Sequence, residues 1–190
     1  NLVSKTLTES GKSLEIASGS GQHIVQLASS LPKYIWQPTD IDHKRIISID
    51  HRTKDNIHNN IKPALYLDAT QEEWSLIYPN QNFILLINLL HLINWKKTKI
   101  VANEIFQSLA LNGILIIYGP FMRDGKLTSE GDIEFHKSIL EKDKNLGYKN
   151  NKKIIILLLK LGFTHLNTIK MPANNLAFIF KKLSNNIFQS

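Results

Sequence analysis

The chain alternates short apolar segments, typical of buried strands, with longer segments whose apolar residues recur at helical spacing. Strand patterns cover residues 12–18, 34–40, 62–70, 82–90 and 114–120; helical patterns cover residues 21–31, 42–54, 97–110, 130–143 and 151–162. Strands separated by helices predict a parallel sheet that is covered by helices on both faces. The nearly continuous apolar run at 82–90 is typical of a strand buried on both sides.

The end of the chain breaks this alternation. Residues 163–171 and 174–182 have strand patterns with no helix between them, so we expect the last strand to run antiparallel. The sequence thus predicts a doubly wound α/β fold with a mostly parallel seven-stranded sheet and an antiparallel last strand. Gly113 and Gly162 follow helical segments and are expected to be left-handed residues at helix ends. At 190 residues, the whole chain, 1–190, is expected to form one domain.

The composition excludes several classes of protein. The chain has 43% hydrophobic and 21% charged residues, as globular domains do, and it has no cysteine, which excludes disulfides and thiolate metal sites. Its histidines show no spacing typical of a metal site, and we expect no metal. The longest apolar runs are too short to span a membrane and no signal peptide is visible, so we expect a cytoplasmic location.

The net charge of +7 raises the question of a nucleic-acid partner. The lysines are scattered, and the abundance of Lys, Ile and Asn together indicates a bias in codon composition. No stretch interleaves arginine with aromatic residues, as single-strand binders do. We therefore expect no nucleic-acid partner; the sequence leaves the oligomeric state open.

A glycine turn joins the first strand to the first helix in the stretch LEIASGSG, residues 14–21. Such turns hold phosphate, ribose or carboxylate groups in α/β folds. A P-loop is excluded, because Thr6 stands where its first glycine belongs and the GKS sequence at 11–13 precedes a strand rather than a helix. The dinucleotide fingerprint requires a third glycine, and Ile24 occupies that position, which weakens an NAD interpretation.

The remaining class of glycine turn is that of class I methyltransferases, which bind S-adenosylmethionine on a Rossmann-like sheet. Such a turn has an acidic residue on the first strand, here Glu15, followed by glycines, here Gly19 and Gly21. Asp40 ends the second strand, where a carboxylate can accept the ribose hydroxyls, and Asp68 ends the third, near the expected adenine amino group. Three acids at the carboxyl ends of successive strands would line one crevice.

Several motifs further along the chain extend this interpretation: WQPTD (36–40), LDAT (67–70), NLLH (88–91), YGPF (118–121), RDG (123–125) and MPANN (171–175). In this order they resemble the methyltransferase-like 26 family, formerly a domain of unknown function. The resemblance covers residues 14 to 182 and implies a class I methyltransferase fold that binds S-adenosylmethionine. It adds Ala17, Ala69 and Asn88 to the cofactor site.

The chain departs from that family at two points. Ala17 replaces the usual first glycine of the turn, and its methyl group would crowd a cofactor unless the turn adjusts. The family also has an N-terminal segment that would lie before Asn1 and cover the cofactor; we expect that segment to be missing here.

Candidates for the reaction itself follow the fourth and fifth strands. We expect three catalytic residues: His91, as a base or to orient the substrate; Tyr118, at the end of the fifth strand; and Arg123, to bind an anionic group. Asn174 and Asn175 are expected to reach the same pocket and bind substrate.

The sequence thus predicts an S-adenosylmethionine-dependent methyltransferase that acts on a small molecule. It leaves open a non-catalytic S-adenosylmethionine-binding module, which the alanine at position 17 would favour, and less readily an NAD-dependent reductase of similar topology.

Overall fold

The computed structural model describes residues 10–183 together with Val3 and Leu7. Its strands are β1 (Gly11–Ile16), β2 (Tyr34–Asp40), β3 (Leu65–Tyr66), β4 (Gln81–Ile87), β5 (Leu109–Met122), β6 (Lys149–Asn150), β7 (Phe163–Lys170) and β8 (Asn175–Lys182). Its helices are α1 (Gln22–Ser30), α2 (His43–Thr53), α3 (Trp95–Ser108), α4 (Glu130–Lys142) and α5 (Asn151–Leu161). Short 3-10 turns lie at Trp74–Leu76 and Leu90–Leu92.

The strands form a sheet with the order β3-β2-β1-β4-β5-β8-β7, and β6 pairs with the far end of β5. Strands β1 to β5 pair in parallel, whereas β8 is antiparallel to both β5 and β7. The predicted doubly wound α/β fold with an antiparallel last strand is therefore confirmed. The two-residue strand β6 is an addition that the sequence pattern did not predict.

The core has two layers, one on each face of the sheet. On β4, Phe83 and Leu85 point to the layer built with α1 and α2, whereas Ile84 and Leu86 point to the layer built with α3 and α5. All four side chains are buried, which confirms the prediction of a strand covered on both sides. This central strand delivers its carboxyl end, at Ile87, to the middle of the sheet edge where the other parallel strands also end.

Two predicted strands are shorter than their apolar patterns. The third forms a ladder only at Leu65–Tyr66, because Pro63 has no N–H to donate and the amide of Ala64 donates instead to Asp50 Oδ1 at 2.7 Å. The fourth ends at Ile87, because Asn88 adopts a left-handed conformation with φ 54°.

The prediction for Gly113 was wrong, whereas that for Gly162 is confirmed. Helix α3 passes directly into β5, and the left-handed residue of the following turn is Asn112, with φ 63°. At Gly113 the constraint is space, since a Cβ would lie 2.8 Å from the carbonyl oxygen of Ala110. Gly162 ends α5 with φ 100°, and its amide donates to the carbonyl groups of the last helical turn.

Candidate functional site

A cleft of about 1080 Å³ opens at the carboxyl ends of the parallel strands. Open α/β sheets bind their ligands at this edge. The structure brings many of the predicted site residues to its lining: Glu15, Ala17, Gly19, Asp40, Asp68, Ala69, Asn88, His91 and Asn175. Sequence positions 160 residues apart are thus assembled around one space.

The turn after β1 forms the floor of the cleft and is held to β2 by hydrogen bonds. The Ser18 amide donates to the Thr39 carbonyl at 2.8 Å, and the Thr39 hydroxyl donates to the Glu15 carbonyl at 2.8 Å. Ala17 and Gly19 are left-handed, with φ 58° and 61°. A left-handed backbone costs a residue with a side chain about 1–2 kcal/mol, so the alanine at position 17 stores strain in the turn.

Glu15 is the most unusual residue of the cleft. Its side chain is 1% exposed, and Oε2 is buried with no hydrogen-bond partner within the described part of the chain. Burial raises the pKa of Glu15 to about 7; a hydrogen bond with Ser18 opposes this effect and the nearby charge of Asp40 adds to it. A buried oxygen without a partner is costly unless a ligand donor reaches it.

Asp40 connects the end of β2 to the glycine turn. Its Oδ2 accepts the Gly19 amide at 2.9 Å and its Oδ1 accepts the Asp42 amide at 3.0 Å. The Arg45 guanidinium lies 3.8 Å from Oδ2. Because each carboxylate oxygen can accept more than one hydrogen bond, Asp40 shapes the turn and retains acceptor capacity toward the cleft.

Asp68 lies just beyond β3 and caps its own loop. Its Oδ1 accepts the Thr70 amide at 2.9 Å and the Thr70 hydroxyl at 2.7 Å, and its Oδ2 accepts from Gln71 at 3.1 Å. Partial burial alone would raise the pKa of Asp68, but these hydrogen bonds and the charge of Lys97 outweigh it and lower the pKa. Asp68 is therefore a charged carboxylate, and the adjacent Ala69 carbonyl is fixed by the Trp74 indole N–H at 3.1 Å.

The opposite end of the cleft is built around His91, in the 3-10 turn after β4. The ring is 6% exposed and meets Phe135 and Tyr148 edge to face, with centroids 5.7 and 6.2 Å away. Burial, with the nearby charge of Lys149, lowers the pKa of His91 to about 4, so the ring is neutral at pH 7. Within the described residues, neither ring nitrogen has a hydrogen-bond partner, which leaves one acceptor nitrogen for a ligand.

Asn175 lines the cleft beside this end, and the turn between β7 and β8 fixes its amide. The side-chain nitrogen donates to the Pro172 carbonyl at 3.2 Å and to the Tyr118 hydroxyl at 3.1 Å. The Pro172 carbonyl can only accept, so the amide nitrogen must face it, and Oδ1 faces away. The turn is tight, with φ 53° at Ala173 and 57° at Asn174.

Four predicted site residues do not line the cleft: Gly21, Tyr118, Arg123 and Asn174. Gly21 faces α2, where a Cβ would lie 3.2 Å from Ile49 Cα. Arg123 donates to the Asn174 carbonyl at 2.9 Å and so holds the β7–β8 turn, rather than pointing into the cleft. The functional roles of these four residues stay predictions, and the contacts of Tyr118 and Arg123 indicate that they position Asn175.

Sequence reasoning missed Lys97, Phe135 and Tyr148, all of which line the cleft. Phe135 lies on α4 and is 46% exposed. The sequence pattern of an amphipathic helix shows which residues are apolar, but it does not show which of them lie at the cleft. Tyr148 precedes β6, and its hydroxyl donates to Asp132 Oδ1 at 3.2 Å.

The described residues lack two features that would indicate other classes of protein. Among them, no group of three or more histidine or acidic side chains is arranged to hold a metal ion. None of the described helices is both long and apolar enough to cross a membrane.

Comparison with known proteins identifies a family that this chain matches. The family model described as "Protein of unknown function (DUF938)" matches residues 1–182. The chain belongs to the DUF938 family. The more specific resemblance to methyltransferase-like 26 proteins is not decided by this match.

Several solved structures of methyltransferases are similar to the DUF938 chain in fold. An O-methyltransferase family protein from Burkholderia thailandensis superposes with a TM-score of 0.80 at 13% identity, over 97% of this chain and 55% of the other. An O-methyltransferase family 2 protein from Planctomyces limnophilus, in complex with apigenin, gives 0.80 at 12% identity, over 95% and 56%. The N-methyltransferase NodS from Bradyrhizobium japonicum gives 0.70 at 16% identity, over 96% and 92%.

These matches define the fold of the DUF938 chain as that of class I methyltransferases. The chain spans about half the length of the two O-methyltransferase family proteins and most of the length of NodS.

Proposed function

We propose that this DUF938 chain is an S-adenosylmethionine-dependent methyltransferase that acts on a small molecule. The observation that carries the proposal is Glu15, whose buried Oε2 has no hydrogen-bond partner among the described residues and lies beside a strained glycine turn. Three acidic side chains at three strand ends line the same cleft, which matches the requirements of a cationic cofactor with ribose and amino groups. On its motifs, we also propose that the chain is one of the methyltransferase-like 26 proteins.

The residues present fit this cofactor. Glu15 offers a carboxylate oxygen to an ammonium group, and the Ala17–Gly19 turn brings backbone close to the ligand. Asp40 retains acceptor capacity for ribose hydroxyls, and Asp68 with Ala69 offers acceptors to an adenine amino group. When bound, S-adenosylmethionine supplies an electrophilic methyl group on a positively charged sulfur.

The chain's own contribution to the reaction is to orient the nucleophile of the substrate at His91. Because His91 is neutral at pH 7 and its ring nitrogens have no partner in the described residues, it can accept a hydrogen bond from a nucleophile that carries a proton. A pKa of about 4 makes His91 a weak base, so its main role is to align that group and exclude water. Holding reactants in line accounts for about 7–11 kcal/mol in favourable cases.

A thermal-shift panel tests the cofactor assignment. S-adenosylmethionine and S-adenosylhomocysteine are expected to raise the melting temperature by several degrees, because ligand at 100 times its Kd adds about 2.7 kcal/mol. NAD and ATP at the same concentration are expected to have no effect. A shift with NAD alone would overturn the proposal.

Two variants sharpen this panel. Asp40→Ala removes a residue of the cleft and is expected to lose the shift, whereas Glu72→Ala replaces an exposed acid outside the cleft lining and is expected to keep it. Transfer of labelled methyl groups to an extract of small molecules then separates an enzyme from a non-catalytic binding module. Cofactor binding without any labelled product would favour the module.

A further inference from the structure

The end of the cleft opposite the three carboxylates has a composition of its own. It is lined by aromatic and apolar side chains together with polar groups that carry no charge: His91, Phe135, Tyr148, Pro120, Asn88 and Asn175. The lysine and arginine side chains of the cleft lining come from α2 and the start of α3, beside Asp40 and Asp68.

The aromatic residues of this end form a wall that exists before any ligand binds. The rings of His91, Phe135 and Tyr148 meet one another edge to face, with centroid separations of 5.7, 6.2 and 6.1 Å. The Tyr148 hydroxyl is held by Asp132, whose second oxygen accepts from Thr128 at 2.8 Å. Tyr148 thus lines the cleft, while its hydroxyl is engaged by Asp132. A flat aromatic ligand matches such a wall.

The polar groups available to a ligand here are mainly acceptors. Asn175 has its amide nitrogen bound to Pro172 and Tyr118, so its Oδ1 is the group left for a ligand. His91, a buried residue, adds an unprotonated ring nitrogen that has no hydrogen-bond partner in the described residues. Asn88, at the junction with the cofactor end, adds an uncharged amide. A ligand that donates hydrogen bonds therefore fits better than one that only accepts them.

Charges of both signs lie behind this wall. Lys149 is 8% exposed, and its ammonium group donates to the Gly147 carbonyl at 2.8 Å. After burial, its charge is the second cause of the lowered pKa values of His91 and His136. The Asp132 carboxylate accepts from the Tyr148 hydroxyl, and, after burial, its charge contributes to the raised pKa of Tyr148. A charged ligand at this wall would therefore lose hydration without one clear opposite charge to replace it.

We call this end of the cleft, with its hydrogen-bond acceptors His91 and Asn175, the acceptor end. We propose that it selects a neutral aromatic hydroxyl compound. The ring of the compound packs on Phe135 and Tyr148, and its O–H donates to His91 or Asn175. This inference rests on the proposed methyltransferase function and names its substrate class. Charged aromatic compounds of either sign are disfavoured because no side chain of opposite charge among the described residues lines this end to pair with them.

Equilibrium binding of four small probes tests the selection, with S-adenosylhomocysteine present. The probes are para-cresol, its methyl ether without the O–H, the anion para-toluate, and the cation para-methylbenzylamine. Selectively labelled histidine reports contact with His91 by NMR. Cresol is expected to bind most tightly and to move the His91 signals. Equal or tighter binding of any other probe, or no binding of any probe, would overturn the proposal.

Variants assign the selection to the named groups. Of Asn175→Ala and His91→Phe, the variant that removes the acceptor of the cresol O–H is expected to weaken cresol binding about 3- to 10-fold, the usual effect of one hydrogen bond. Both variants are expected to leave binding of the methyl ether unchanged. Asn167→Ala is the matched control, because Asn167 is an exposed amide on the neighbouring strand β7, outside the cleft lining. Equal cresol affinity in all three variants would overturn the role of both groups.

A parallel measurement separates this proposal from the function on which it rests. Thermal shift with S-adenosylhomocysteine is recorded for the same samples. Cofactor binding with no preference for cresol would refute the substrate class alone. Cresol preference without cofactor binding would refute the methyltransferase assignment and keep the selective pocket.

Discussion

Replacement of Glu15 by glutamine is expected to stabilise the unliganded protein at neutral and alkaline pH. Burial raises the pKa of Glu15 from 4.5 to about 7, so the folded protein holds this proton more tightly than the unfolded chain. The stability that comes from the protonated form is complete below pH 4.5 and is lost as the pH rises to about 7. At 1.36 kcal/mol per pKa unit, the loss is about 3 kcal/mol. Glutamine keeps the shape of the side chain without the charge.

His91 acts in the opposite direction and conceals this effect in the wild-type protein. Its pKa falls from 6.5 in the unfolded chain to about 4, so its contribution to stability is present above pH 6.5 and is lost as the pH falls toward 4. Between pH 4.5 and 6.5 the two groups change the free energy of unfolding in opposite directions as the pH rises. In Glu15→Gln the contribution of His91 remains, and that of His136, whose pKa is also lowered by burial, has the same sign, so stability should rise with pH across that range.

Urea denaturation of the unliganded proteins at several pH values measures both effects. The free energy of unfolding of Glu15→Gln minus that of the wild type is expected to be near zero at about pH 4.5 and to reach about 3 kcal/mol at about pH 8. Using this difference removes the contributions of the other titrating groups. Glu72→Gln, at an exposed position, is the control for replacing a carboxyl group. A difference that stays constant with pH, or a loss of stability at pH 8, would refute the reasoning.

Two further predictions concern the turn and the ends of the strands. Ala17→Gly is expected to stabilise the unliganded protein by up to about 1 kcal/mol, because relief of the strain at φ 58° exceeds the added flexibility of glycine. Urea denaturation measures this effect, and a clear loss of stability would show that the turn carries no strain. Asp40→Ala is expected to weaken S-adenosylmethionine binding more than Asp68→Ala, because Asp40 also holds the Gly19 amide. Calorimetry that gives equal losses would contradict this order.

The carboxylate end of the cleft was predictable because its residues belong to local motifs. Glu15, Asp40 and Asp68 each stand at or just beyond the carboxyl end of a strand pattern, and parallel strands bring those ends to one edge. The predicted length of the third strand was wrong because of a side-chain contact. Asp50, by accepting the Ala64 amide, helps to reduce the third strand to two residues, an effect that an apolar pattern does not contain.

The acceptor end of the cleft could not be predicted in the same way, because it depends on contacts between segments that are distant in the sequence. Arg123 reaches a carbonyl 51 residues away, and this contact turns a predicted ligand clamp into a support for the β7–β8 turn. Phe135 and Tyr148 come from two segments whose patterns indicate only an amphipathic helix and a loop. Their meeting with His91 is decided by the packing of α4 across the strand ends.

The two ends of the cleft therefore differ in the charge of their lining. Asp40 and Asp68, with Glu15 when it is ionised, place carboxylates at one end, whereas at the other end burial, with the nearby charge of Lys149, keeps His91 neutral. On the proposed function, a cationic methyl acceptor would be attracted toward the carboxylates and would compete with the cofactor. A neutral acceptor would avoid this competition, because only its shape and its hydrogen-bond donor would decide where it binds. The proposed cofactor and substrate would then each occupy one end of a continuous cleft.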